Sequence, residues 1–313
     1  MAVAPGAHRG GLLGFLCLIG FAGRALAAES GQDPYFKGYK DFLSGVVPDE
    51  TGLYVRSDFI YYGGNINGTV IGGRVAVGLN QQLFVDILAP TYVTGYHLLG
   101  GVFAVGVTVP LTYLNVSGSL QTPRFAFSTS QNRFSIGDVW MTPAILAWES
   151  GNWHWDVAFS VVAPTGVYHD GSLSNTSLNR WSFVPQAAIT YLDPTTGWNA
   201  SAAFAYVGST ENPATHYQSG QFVNVDFSAG RYLSKSLQVG IIGYYEQQVT
   251  GDSGPGAVLG PAKARVWALG PGATYAFMIG DVPITATAKY SHEFAVQKTF
   301  LGDTATVALT LKF

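Results

Sequence analysis

The sequence predicts an all-β fold, an antiparallel transmembrane β-barrel of roughly 12 to 14 strands. Three observations carry that prediction. An export leader opens the chain, apolar and polar residues alternate in one segment after another to the last residue, and no apolar run beyond the leader is long enough for a membrane helix. Side chains on a strand point to opposite faces with a period of two, so alternation gives each strand one greasy and one polar face. A water-soluble sandwich alternates in the same way. The composition separates the two cases: 11% charged, 14% aromatic and 39 glycines, where soluble domains carry about 25% charged residues.

Residues 1–27 read as a cleaved leader. His8 and Arg9 precede an apolar run from Gly11 to Ala22, and Ala25-Leu26-Ala27 forms a small-x-small cleavage site. The run falls short of the about 20 residues a spanning helix needs. Cys17, the only cysteine, lies inside it, so the mature chain has no disulfide or thiol chemistry. Losing Arg9 and Arg24 leaves 14 basic against 19 acidic residues. With no basic patch to collect phosphates, a nucleic-acid partner is excluded.

Residues 28–50 do not alternate but carry Tyr35, Phe36, Tyr39 and Phe42. Two readings stand: a tail or lid packed on the barrel rim, or a plug inserted into the lumen. From residue 51 to 313 the barrel follows, with strands expected at 53–62, 69–79, 82–92, 99–107, 111–118, 134–148, 153–165, 181–192, 198–208, 220–232, 236–249, 263–278, 282–295 and 302–313. Pro110 makes the break between the fourth and fifth the weakest division, because Pro suits an edge or bulge better than a paired strand; misdivision of the early segments would give 12. Tight connections are expected at Asn80-Gln81, 149–152, 193–197, 233–236 and Gly280-Asp281, and long ones at 119–133, 166–180, 209–219 and 250–262. Short turns at one end and long loops at the other are the asymmetry of an outer-membrane barrel.

Charge placement is a second test, since Lys or Arg facing lipid at mid-membrane costs about 2–4 kcal/mol. Arg74, Asp86, Asp156, Asp226, Lys289 and Glu293 all fall out of phase with the aliphatic residues around them. They are expected in the lumen, either as a paired filling or, with Tyr217, Gln218, Tyr244, Glu246, Gln247 and Gln248, as the lining of a solute route. Trp148, Trp153, Trp155, Tyr191, Trp198 and Phe277 flank the tight turns, where an interfacial girdle belongs. The final strand alternates strictly and ends on Phe313, which resembles the signal read by the barrel-assembly machinery.

Taken in order, Gly52-Leu53-Tyr54; Gly137-Asp138, Pro143 and Trp148; Pro164-Thr165-Gly166 and Tyr168; Asn175, Asn179, Trp181 and Pro185; Asn212, Thr215, Tyr217, Ser219 and Gly220; and Tyr245, Gln247, Thr250, Asp252, Ser253 and Gly254 resemble the outer-membrane proteins named for the meta-pathway of phenol degradation. The pattern departs at Ser177, where a glycine is expected, so the turn in that loop is expected to differ. The resemblance implies a channel for small hydrophobic or aromatic solutes, embedded in outer-membrane lipid and loosely akin to the long-chain fatty acid transporters. It assigns no ligand-binding residue. A non-conducting structural or adhesive barrel and a rim hydrolase are the competing classes. No histidine starts a His-x-Ser pair, His169-Asp170 reads as solvated loop, and neither metal-ligand spacing nor a cofactor motif is present.

Overall fold

The structure, a computed structural model, describes residues 27–66, 69–71, 74–76, 78–121 and 126–313. Residues 1–26 of the leader and the side chain of Arg74 lie outside the described residues. Twelve strands close into one antiparallel ring: β1 Gly52–Ile66, β2 Leu79–Leu98, β3 Gly101–Gln121, β4 in two stretches (Ala126–Ile136 and Val139–Ser150), β5 Trp153–Ala163, β6 Ser182–Leu192, β7 Trp198–Ser209, β8 Phe222–Tyr232, β9 Leu237–Gln248, β10 Arg265–Ile279, β11 Val282–Gln297 and β12 Leu301–Lys312. Each strand pairs with its sequence neighbours, and β12 returns to β1 with Tyr54 opposite Lys312 and Asn65 opposite Leu301. Closure leaves no open sheet edge, which the hydrocarbon core of a membrane would not tolerate.

The fourteen-strand division is corrected to twelve, and Pro110 shows why. Residues 101–121 form a single strand that runs through this proline, and its neighbour breaks instead. Leu111 to Gln121 pair with the first stretch of β4, and Val102 to Thr108 with the second. At the break Gly137 donates its N–H to the Pro110 carbonyl at 2.8 Å, so the missing proline donor falls where the ladder is already interrupted. The 69–79 segment is no barrel strand; Thr69–Ile71 and Arg74–Ala76 form a separate hairpin. Asn80-Gln81 lies inside β2, and the tight turn on that side is Leu99-Gly100, with both residues at positive φ. The expected long connection at 119–133 is mostly strand, since β3 and β4 stay paired out to Gln121 and Ala126.

The remaining short connections, at 151–152, 193–197, 233–236 and 280–281, gather at one end of the barrel with the start of β1 and the end of β12. The segments 164–181, 210–221 and 249–264 gather at the other. At the short-turn end, Trp148 and Trp155 stack at 6.5 Å and Trp153 meets Tyr191 edge-on at 5.0 Å. The outer wall is mostly apolar: Phe59, Val157, Phe159, Phe183, Ile189, Phe204, Ile241 and Val307 are all more than two-fifths exposed. An apolar belt of that extent is a surface for lipid rather than for water.

Asp86 interrupts that belt. On β2 the inward positions are Gln81, Val85, Ile87 and Ala89, all buried, whereas Phe84 and Leu88 on either side of Asp86 are exposed. Asp86 therefore points outward, where its Oδ1 accepts the Ser57 hydroxyl at 2.6 Å. The lumen assignment is corrected for a definite reason. Leu83, Val85 and Ile87 are the apolar phase of this strand but face the interior, so phase opposite them means lipid. Replacing Asp86 by Leu is expected to stabilise the barrel in lipid vesicles by on the order of 1 kcal/mol, a carboxylate at mid-membrane costing less than a basic group. Reversible urea unfolding of the two proteins, side by side, measures the difference; a destabilised variant would mean that Asp86 has a partner worth more than its desolvation.

Candidate functional site

The interior of the ring is occupied by the chain's own amino-terminal segment. Residues 27–50 run through the lumen from the loop end, where Ala28 meets Asp252, to the short-turn end, where Gly45 donates its N–H to Thr190 Oγ1 at 2.9 Å. These contacts are made to inward-facing side chains of the wall and its loops, between the two ends of the ring. Local chemistry explains the path. Phe42 lies on a floor made by one glycine from each of three adjacent strands: a Cβ on Gly230, Gly240 or Gly272 would come within 2.8–3.0 Å of its ring. Only residues without a side chain let an aromatic ring lie that close to a sheet backbone.

Polar groups of the wall anchor the plug at three levels. Asp226 on β8, 2% exposed, accepts the Gly38 N–H at 2.9 Å, the Lys40 N–H at 3.0 Å and the Tyr35 hydroxyl at 3.0 Å. Lys289 on β11 donates to the carbonyls of Gly38 and Tyr39 at 2.8 and 3.1 Å and pairs with Asp41 at 3.0 Å. Arg56 on β1 grips the same Asp41 at 2.8 Å while also pairing with Asp58 at 2.7 Å. Nearer the loop end, Lys37 approaches Glu246 and Glu293 at 3.6 and 3.8 Å, and Glu293 accepts the hydroxyls of Tyr244 and Tyr62 at 2.7 and 3.0 Å. Buried charges are tolerated where they are paired and hydrogen-bonded.

Of the residues singled out in sequence, the structure thus brings Asp226, Tyr244, Glu246, Lys289 and Glu293 together on the plug. Asp156 also faces the interior, 4% exposed, with Oδ2 free of any partner. Gln248 faces inward at the loop end and donates to Asp252. Gln247, next to it, lies on the opposite face and bonds its neighbours Tyr245, Gln248 and Ala264, so it does not line the lumen. Gln218 is spent inside its loop, donating to the Ser209 and Ser219 carbonyls, and Tyr217 is buried beside Asp252. His169 and Asp170 are exposed loop residues. Ser177 keeps its loop closed without glycine by accepting the Asn179 N–H at 2.9 Å; the positive φ falls on Asn179 instead. Arg56, Asp58 and Asp41 were missed by sequence reasoning, although Arg56 and Asp58 are charges within the first strand, the signal used elsewhere.

Among the described residues, two sizeable voids lie around the plug. One, of about 190 Å³, lies toward the loop end against Lys37, Tyr62, Leu83, Leu114, Tyr244 and Phe300. The other, of about 500 Å³, lies toward the short-turn end against Tyr39, Val46, Arg56, Asp156, Gln186 and Gln238. Tyr35, Phe36 and Trp140 line both. The Tyr35 and Phe36 rings lie 6.2 and 6.0 Å from Trp140, and the three lie between the voids. Two of the three belong to the amino-terminal segment, which is held largely by side chains of the wall, while the ring itself rests on main-chain ladders.

Comparisons with known proteins agree with this architecture. The fold matches the crystal structure of the COG4313 outer membrane channel from Pseudomonas putida F1 with a TM-score of 0.62 at 15% identity, over 86% of this chain and 97% of that one. The translocator domain of the autotransporter NalP from Neisseria meningitidis is a more distant likeness, with a TM-score of 0.46 at 14% identity over 84% and 89% of the two chains. A FadL homologue from Pseudomonas aeruginosa gives 0.35 at 10% identity over 84% and 88%. No curated protein matches the sequence. Residues 64–309 match the model of the family described as "Putative MetA-pathway of phenol degradation", and the chain belongs to that family.

Proposed function

We propose that the protein is an outer-membrane channel for small hydrophobic solutes, aromatic ones included, held shut by its own amino-terminal segment. The observation that carries this reading is the plug. It crosses the lumen on a handful of polar anchors, leaves voids on both sides of an aromatic partition, and can be withdrawn without breaking a single pair of the barrel ladder. The family description, which refers to phenol degradation, and the P. putida channel's fold support the same reading. In this orientation the short turns are periplasmic and the long loops external. The export leader serves secretion, and the last strand, ending on Phe313 with its N–H on the Leu53 carbonyl, is the segment offered to the barrel-assembly machinery.

Apolar solutes gain from a channel because the charged outer leaflet slows their direct partition. A strain lacking the gene is therefore expected to grow poorly on one or more aromatic or long-chain carbon sources at limiting concentration, and normally when the source is abundant. Restoring the wild-type copy should repair the defect. A panel on which no source shows a repairable defect would remove uptake as the function. The same interior would also suit a non-conducting barrel packed for stability; the conductance of a plug-deleted barrel separates the two.

A further inference from the structure

Asn212, Thr215, Tyr217, Ser219, Gly220 and Asp252, loop residues that carry the family resemblance, close around the start of the plug. Asp252 is 3% exposed. Its Oδ1 accepts the Gly220 N–H at 2.9 Å and Gln248 Nε2 at 2.7 Å, while its Oδ2 accepts the backbone N–H of Ala28 at 2.8 Å. The Tyr217 hydroxyl lies beside the same carboxylate, and burial together with that negative charge pushes its phenol well above the ordinary value. One residue along the plug, Glu29 is also 3% exposed. Its Oε2 accepts Asn212 Nδ2 at 2.8 Å, and its Oε1 has no partner, nor has the hydroxyl of Thr215 beside it. Among the described residues neither carboxylate has a cation within ion-pair distance. Arg180 is buried close by but spends one nitrogen on the Gln32 carbonyl at 3.2 Å and leaves two others unbonded.

Two buried carboxylates with Arg180 nearby but no cation within ion-pair distance of either are costly, because buried charges persist where an opposite charge meets them directly. The small-x-small site predicts hydrolysis of the bond between Ala27 and Ala28, and the atom this would leave as the chain's amino end is the one already lying on Asp252. We propose that the missing cation is the mature α-ammonium of Ala28, and that its ion pair with Asp252 fastens the plug to the external loops. Water adds across the peptide bond under a leader peptidase: its hydroxyl completes the carboxyl group of Ala27, and its proton, with one more from solvent, converts the Ala28 nitrogen from an amide with one N–H to an ammonium with three. Glu29 Oε1 and Thr215 Oγ1, one residue along the plug and in the loop beside it, are polar atoms still without a partner at this end of the chain. Because the cradle is closed in the folded barrel, cleavage precedes folding and the plug threads with its charge in place. This inference rests on leader cleavage and is independent of the channel reading.

The test begins with the intact mass of the protein extracted from membranes, which should correspond to a chain starting at Ala28. The folded barrel is then treated with an amine-acylating reagent, and the amino-terminal peptide is followed by mass spectrometry against the same protein in urea. The α-amine of the folded protein should react at least about 10-fold more slowly than in urea, as expected of a group exposed only by local opening. Asp252→Asn, which keeps the size and one acceptor but loses the charge, should restore most of that reactivity. If that variant fails to fold, a mature chain lengthened by one Ala before Ala28 leaves Asp252 intact, displaces the ammonium by one residue and should give the same release. A mature chain starting elsewhere, a wild-type α-amine as reactive folded as in urea, or protection unchanged in the variant that folds would each overturn the assignment.

Discussion

Removing residues 31–48 is expected to turn a barrel that passes little current in planar bilayers into one that conducts continuously, severalfold above the wild-type level. The deletion keeps Ala28 to Ser30 behind the leader and joins them to Asp49, too short a stub to re-enter the lumen. The wall survives because it rests on main-chain ladders around the whole ring, the β1–β12 seam included, and not on the plug. What the deletion exposes is charge. Asp58, Asp156, Asp226, Glu246 and Glu293 then face water against Arg56, Lys289 and, nearer the loops, Arg180, so acidic groups outnumber basic ones along the opened lumen. The open barrel should accordingly favour cations over anions, since rings of acidic side chains set that preference. A truncated protein that still shows the heat-dependent gel shift of a folded barrel but conducts no more than wild type would mean that the lumen stays blocked without its plug. That outcome favours the structural reading over the channel.

How much of this interior was legible depends on where the chemistry resides. Asp226, Tyr244, Glu246, Lys289 and Glu293 lie on strands whose polar and charged residues share one phase, opposite an exposed apolar face, so phase placed them inside. Asp86 defeated the same rule because β2 is apolar on both faces: of its inner residues, Leu83 and Val85 line the void beside the plug and Ile87 is fully buried. The strand count failed for a related reason. Pro110 reads as a break, yet the interruption is borne by β4, and no local signal tells which of two neighbours absorbs a missing donor. The plug could be named from its aromatics but not placed. Its anchors are largely backbone groups, the N–H of Gly38 and Lys40 and the carbonyls of Gly38 and Tyr39, and every residue carries those. The glycine floor under Phe42 is likewise invisible until three strands are set side by side. The motif residues Asn212, Tyr217 and Asp252 were recognisable as a group, but their role depends on which segment arrives between the loops.

Asp226→Ala tests whether the plug is held at its middle. The substitution leaves the Gly38 and Lys40 amides and the Tyr35 hydroxyl without their acceptor in a buried site. Stranding a buried donor costs about 1–3 kcal/mol, more where the acceptor was charged, so the three together weaken docking by roughly 3 kcal/mol or more. That corresponds to a hundredfold or larger shift toward the undocked state, each 1.4 kcal/mol being about tenfold. Water entering the gap can satisfy part of the loss, which is why the lower figure is the one to plan on. Single-channel records should show brief openings many times more frequent than in wild type, and hydrogen exchange at Gly38 and Lys40 should accelerate in step. Asp226→Asn keeps one acceptor oxygen of similar reach and should fall between the two. The Lys289 and Arg56 contacts to Asp41 remain in both variants, so the openings should stay transient, unlike those of the deleted barrel. If Asp226→Ala folds and both opening frequency and exchange stay at wild-type values, the plug is held from its ends, by the loop cradle and the glycine floor, and not by the carboxylate at its centre.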